Sequence, residues 1–165
     1  MVWAFQLQLQ NRSRLKSGIG LRSKIFSENR SYVGRRVMML GNKVGSMTLQ
    51  ETSQPIDSGK YGLPAMETSN VGSGKLLDHD VQCRAAFTAH MRPDGSWLGH
   101  AHAGVVICPA GVATFKCDGV GNMTNAGGVS FRGGAIFETT AEALSELNGK
   151  YYMFTYEADA DGKAV

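Results

Sequence analysis

"VQCRAAFTAHMRPDGSWLGHAHAGVVICPAGVATFKCDGVG", Val81 to Gly121, decides the fold. Its apolar and small residues recur on odd positions: Val81, Cys83, Ala85, Phe87, Ala89 and Met91, then Trp97, Gly99, Ala101, Ala103, Val105 and Ile107, then Ala113, Phe115, Cys117, Gly119 and Gly121. Gln82, Arg84, Thr88 and His90 stand between them. A period of two over such lengths marks strands with one buried face. The two breaks read Pro93-Asp94-Gly95 and Pro109-Ala110-Gly111. Proline presets the first turn residue and glycine takes the left-handed position, so each break predicts a three-residue hairpin loop. Such loops set Met91 opposite Trp97 and Val105 opposite Phe115, odd against odd. A two-residue loop would throw apolar residues against the polar face.

Working outward, "VSFRGGAIFET" (129–139) continues the alternation after an Asn-Gly-rich turn. Parity allows Gly119 opposite Phe131, Cys117 opposite Gly133, Phe115 opposite Ala135 and Ala113 opposite Phe137. Large residues then meet small ones, as the concave side of a curved sheet requires. Thr139 with Glu142 predicts a capping box for a short helix near 140–148, with Leu144 and Leu147 on one face and Asn148-Gly149 as its stop. "KYYMFTYEAD" is a further strand, "ADGK" a turn, and Ala164-Val165 the first residues of a strand that this chain does not complete. The expected architecture is all-β, an antiparallel up-and-down meander forming a small, incomplete β-barrel with one short helix.

The chain before Val81 is less patterned. Residues 48–75 are rich in Gly, Ser, Thr and Pro and read as an irregular lead-in with one short strand around Tyr61–Met66. Residues 1–40 carry eight Lys and Arg against Glu28 alone, leaving nine basic and thirteen acidic residues for 41–165. Residues 1–47 therefore read as a disordered or non-native basic extension, and 48–165 as a single barrel domain truncated at its C-terminus. No apolar run approaches the roughly 20 residues of a membrane-spanning helix, so no membrane partner is expected. The acidic balance of 41–165 argues against nucleic acid. Cys83, Cys108 and Cys117 are odd in number and lack C-x-x-C spacing, which predicts reduced thiols and a cytoplasmic protein.

Two places on the sheet invite chemistry. The inner face gathers Phe87, Met91, Trp97, Phe115 and Phe131, a lining for a small apolar or aromatic ligand. The outer face gathers His90, His100 and His102. Three imidazoles from neighbouring strands suit a zinc site with an open position. The same face reads more plainly as a charge ladder, with Thr88 opposite His100, His102 opposite Asp118, and Asp118 opposite Arg132. On that reading no metal and no cofactor is expected. A Cys117 nucleophile with His102 as base fails because the two face opposite sides. Tyr151, Tyr152, Phe154 and Tyr156 fit a barrel core and rim better than a base-stacking platform. A second function class is a non-catalytic oligomerisation module whose open edge strand pairs with another copy.

The run Gly119–Lys163, "GVGNMTNAGGVSFRGGAIFETTAEALSELNGKYYMFTYEADADGK", resembles the C-terminal half of a family of small uncharacterised bacterial and archaeal proteins. The similar features are Gly-x-Gly, the Gly-Gly turn, Phe-Arg-Gly, Leu147-Asn148-Gly149 and Glu157-x-Asp159. The resemblance implies a barrel of the allene oxide cyclase and dirigent type. These are turn and kink residues, so they imply topology and no catalytic residue. Asn122 and Glu138 depart from the basic and amide residues common there. A cyclase-like or metal-dependent enzyme using His90, His100 and His102 is the third function class. A cyclase would need a polar group in the apolar interior, where the sequence offers Cys83, Cys117, Tyr152 and Tyr156.

Overall fold

The computed structural model describes residues 41–57 and 62–165, and the backbone of Gln6–Leu9. Most of the basic 1–47 segment therefore lies outside the described residues. Among the described residues the strands are β1 (Gln6–Leu9), β2 (Lys43–Ile56), β3 (Ala65–Leu76), β4 (His79–Met91), β5 (Trp97–Cys108), β6 (Gly111–Met123), β7 (Val129–Thr139), β8 (Tyr151–Ala158) and β9 (Lys163–Ala164), with a 3₁₀ helix at Glu142–Leu147. Strands β2 to β8 pair antiparallel in sequence order. Two short strands close the sheet between β8 and β2. Backbone β1 pairs with Tyr152–Thr155 of β8 and with Lys43 and Gly45 of β2. Strand β9 pairs with Ala158 of β8 and with Leu49 and Gln50 of β2. The fold is an eight-position antiparallel barrel, with the eighth position shared by β1 and β9. On that side β2 is paired at Lys43, Gly45, Leu49 and Gln50.

The first Pro-x-Gly break folds as its residues dictate. Arg92 N–H donates to Ser96 O at 2.7 Å, closing a three-residue loop, and Gly95 takes φ +82°. Asp94 accepts from both Ser96 N (3.0 Å) and Ser96 Oγ (2.6 Å). The second break differs from expectation. Cys108 pairs with Gly111, so the loop is Pro109-Ala110 alone, and Gly111 opens β6 at φ +143°. A β-bulge at His102–Ala103 explains how this works. Before it Trp97 and Ala101 point inward; after it Val106 and Cys108 do, while Ile107 is exposed. One bulge flips the faces of β5, and the shorter loop flips them back for β6.

Other registers shift without changing face. Asn125-Ala126-Gly127 is the three-residue loop between β6 and β7, closed by Thr124 N–H donating to Gly128 O at 2.8 Å. The pairs are therefore Gly121 with Phe131, Gly119 with Gly133, Cys117 with Ala135 and Phe115 with Phe137, two residues from the expected set. No side chain caps the 3₁₀ helix. Thr139 is instead tied to Asn148, whose Oδ1 accepts from Thr139 N and whose Nδ2 donates to Thr139 O, both at 2.9 Å. The largest correction is at 48–75, where β2 and β3 form a long hairpin running from Gly45 opposite Leu76 to Ile56 opposite Ala65.

The packed core sits at one end of the barrel. Leu144 and Leu147 of the helix are fully buried in one cluster with Leu76, Val106, Ala113, Phe137 and Tyr152. Phe137 lies edge-on to Tyr152 with ring centroids 5.5 Å apart. The helix follows β7 and touches β6 and β7, so its leucines plug this end.

Candidate functional site

The other end of the barrel is hollow. A cavity of about 540 Å³ runs from the core to the loops that join β6 to β7 and β8 to β9, within the range of small-molecule sites. Its walls are inward positions of the strands, set by their alternation. On one side stand Cys83, Ala85 and Phe87 of β4, Trp97 and Ala101 of β5, Phe115 and Cys117 of β6, and Phe131 and Ala135 of β7. Of the five residues expected from sequence, Phe87, Trp97, Phe115 and Phe131 line the cavity. Met91 pairs with Trp97 but is not among the lining residues.

The opposite wall, from β2 and β3, sets polar side chains that strand alternation does not reveal beside Met47, Leu49 and Met66. Glu51 pairs with Asn70, and Ser53 with Thr68, across β2 and β3. All four line the cavity, and Asn70 and Thr68 are buried at 2% and 5% exposure. Tyr156 of β8 joins them. Its hydroxyl donates to Glu51 Oε2 and accepts from Asn70 Nδ2 at 3.1 Å. Ser53 Oγ donates to Glu51 Oε1 at 2.8 Å and lies 2.8 Å from Thr68 Oγ1. Burial, with the Glu51 charge beside it, pushes the Tyr156 phenol well above its ordinary range. It therefore stays a neutral donor at neutral pH. The interior thus holds Glu51, Thr68 and Asn70, with Ser53 at its exposed edge, in addition to the thiols and tyrosines anticipated. Asp159 and Asp161 of the β8–β9 turn stand at the rim.

The thiols of this interior are chemically quiet. Burial raises Cys83 to about 11. Burial, then Asp118 and Cys83, raises Cys117 to about 12. Neither supplies thiolate at neutral pH. Tyr152, raised to about 12 by burial and Glu146, lies in the packed end with its hydroxyl donating to Glu146 O at 3.2 Å.

Of the three histidines singled out, His100 is among the lining residues of the cavity, and His90 and His102 are not. The bulge sets His100, not His102, opposite Asp118, and Nδ1 of His100 bonds to Asp118 Oδ1. Asp118 faces Gly134, while Arg132 faces Val120 and pairs with Glu157 at 2.5 Å. His102 Nε2 bonds to Thr88 Oγ1 at 2.6 Å, and the two imidazoles meet edge-on with centroids 5.0 Å apart. His90 pairs with Ala65 and Leu98, and its Nδ1 is buried without a partner among the described residues. Among the described residues no three His, Cys, Asp or Glu side chains converge as a metal set.

Comparison with solved structures places the fold. The chain is similar to a conserved protein of unknown function from Rhodopseudomonas palustris, with a TM-score of 0.51 at 12% identity, over 74% of this chain and 94% of that one. At that identity the likeness shows the barrel alone. No protein-family model and no curated protein sequence matches the chain. Among the described residues no helix is long and apolar enough to cross a membrane.

Proposed function

We propose that the barrel interior binds a small apolar or aromatic ligand, held against Phe87, Trp97, Phe115 and Phe131. The observation that carries this reading is the cavity itself: Leu144 and Leu147 plug one end of the barrel, while Phe87, Trp97, Phe115 and Phe131 stand around about 540 Å³ of open interior. An interior serving stability alone would be filled, because an empty apolar volume costs about 24 cal/mol per Å³. The resemblance of Gly119–Lys163 to small barrels of the allene oxide cyclase and dirigent type supports a ligand-holding barrel. Three unpaired cysteines fit a cytoplasmic setting.

The test is fluorescence titration of the full chain with N-phenyl-1-naphthylamine, an uncharged apolar dye. We expect saturable one-to-one binding that is lost in Ala85→Trp, which fills the cavity from its wall. Absence of saturable binding, or unchanged binding to folded Ala85→Trp, overturns the proposal.

A further inference from the structure

Resting on that binding reading, we infer that the ligand is a hydrophobic amine, whose apolar body lies on the aromatic wall and whose ammonium head meets the carboxylate of Glu51. The cavity is electrostatically one-sided. Glu51, Asp159 and Asp161 line it together with His100, whose Nδ1 bonds to Asp118, and among the described residues no lysine or arginine does. Each oxygen of Glu51 accepts one hydroxyl, from Ser53 and from Tyr156. These bonds fix the carboxylate's orientation and leave a further acceptor direction on each oxygen, since a carboxylate offers about four. Asn70, itself bonded to the Tyr156 hydroxyl, braces the arrangement from a buried position.

An ammonium brought here gains charge-assisted hydrogen bonds to Glu51. A ligand carboxylate would bring a second negative charge toward Glu51 and past the rim aspartates, with no lysine or arginine in the lining to receive it. Asp159 holds its place there because its Oδ1 accepts from Asp161 N (3.0 Å) and Lys163 N (2.9 Å). An alcohol can donate one hydrogen bond without charge and falls between the two.

The experiment is displacement of N-phenyl-1-naphthylamine from the full chain at neutral pH by decylamine, decanol and decanoate, three probes that share a tail and differ in the head. Decylamine is expected to displace the dye at a concentration at least about 10-fold lower than decanoate, with decanol between them, a difference of about 1.4 kcal/mol. Glu51→Gln is expected to shrink that ratio to about threefold or less. Equal ranking of the three heads, or preference for decanoate, in the wild-type chain overturns the amine inference while dye binding itself still stands. Failure of the dye to bind removes the underlying reading instead. Should Glu51→Gln unfold, Asp161→Asn at the exposed turn supplies the variant, with a smaller reduction of the ratio expected. An unchanged ratio in folded Glu51→Gln overturns the role given to that carboxylate.

Discussion

The two walls of the barrel are built from different alphabets. The wall of β4 to β7 presents Phe87, Trp97, Ala101, Phe115 and Phe131 inward, while the wall of β2 and β3 presents Glu51, Ser53, Thr68 and Asn70. The first wall obeys the rule that a strand's buried face is apolar. The second breaks it, and does so where four polar side chains form a connected hydrogen-bond network with Tyr156. Violations of the local pattern concentrate at functional positions, because such residues serve the site at some cost to the fold. The difference between the walls is therefore the strongest pointer to the site.

The largest expected effect tests the apolar wall. Val106 is fully buried and Ile107 is 40% exposed, the reverse of what unbroken alternation from Trp97 gives. Val106→Ala should cost about 2–3 kcal/mol and Ile107→Ala under about 1 kcal/mol in urea unfolding. Equal costs, or the opposite order, would remove the bulge at His102–Ala103 and return the histidines to a different face.

Next comes the polar wall. Tyr156→Phe deletes the hydroxyl that joins Glu51 to Asn70 and leaves Asn70 Nδ2 short of a partner, costing about 1–2 kcal/mol. A neutral result would mean that water replaces the hydroxyl freely and that the network is not tightly organised.

The smallest effect concerns pH and sharpens the apolar wall again. Folding raises Cys83 to about 11 and Cys117 to about 12 from 9.0, chiefly by burial. The folded state then holds protons that the unfolded state releases. The stability so contributed is complete below about pH 9 and is lost as pH rises through the folded values. The unfolding free energy from urea titration should fall by on the order of 1 kcal/mol per thiol by about pH 10. Cys83→Ala should flatten that decline, and an unchanged slope would place the thiol in contact with solvent.

The same contrast governs what sequence reasoning can see. Strands β4 to β8 announce themselves because a buried apolar face writes itself as a period of two. Strand β3 does not, since between Met66 and Leu76 its inward positions are Thr68, Asn70, Gly72 and Gly74 and its outward ones include Val71. Gly72 lies opposite Leu49, and Gly74 opposite Met47, so the partner strand supplies the apolar bulk that β3 lacks. The hairpins give a second lesson. Pro93-Asp94-Gly95 and Pro109-Ala110-Gly111 look alike, but Asp94 can accept two hydrogen bonds from Ser96 and Ala110 can accept none through its side chain. Parity could not separate the two loop lengths because the bulge and the shorter loop each reverse the faces. Their effects cancel by β6, whose inward Ala113, Phe115 and Cys117 were legible throughout.

On the proposed function, a ligand sits between these two walls. Isotope-filtered NMR on the full chain with bound N-phenyl-1-naphthylamine tests it most directly. Intermolecular NOEs are expected from the dye to the side chains of Phe87, Phe115, Phe131 and Leu49, and none to the exposed Val112, Val120 and Ile136 on the outer face. NOEs confined to those outer residues would contradict the claim and move the binding surface to the outside of the barrel.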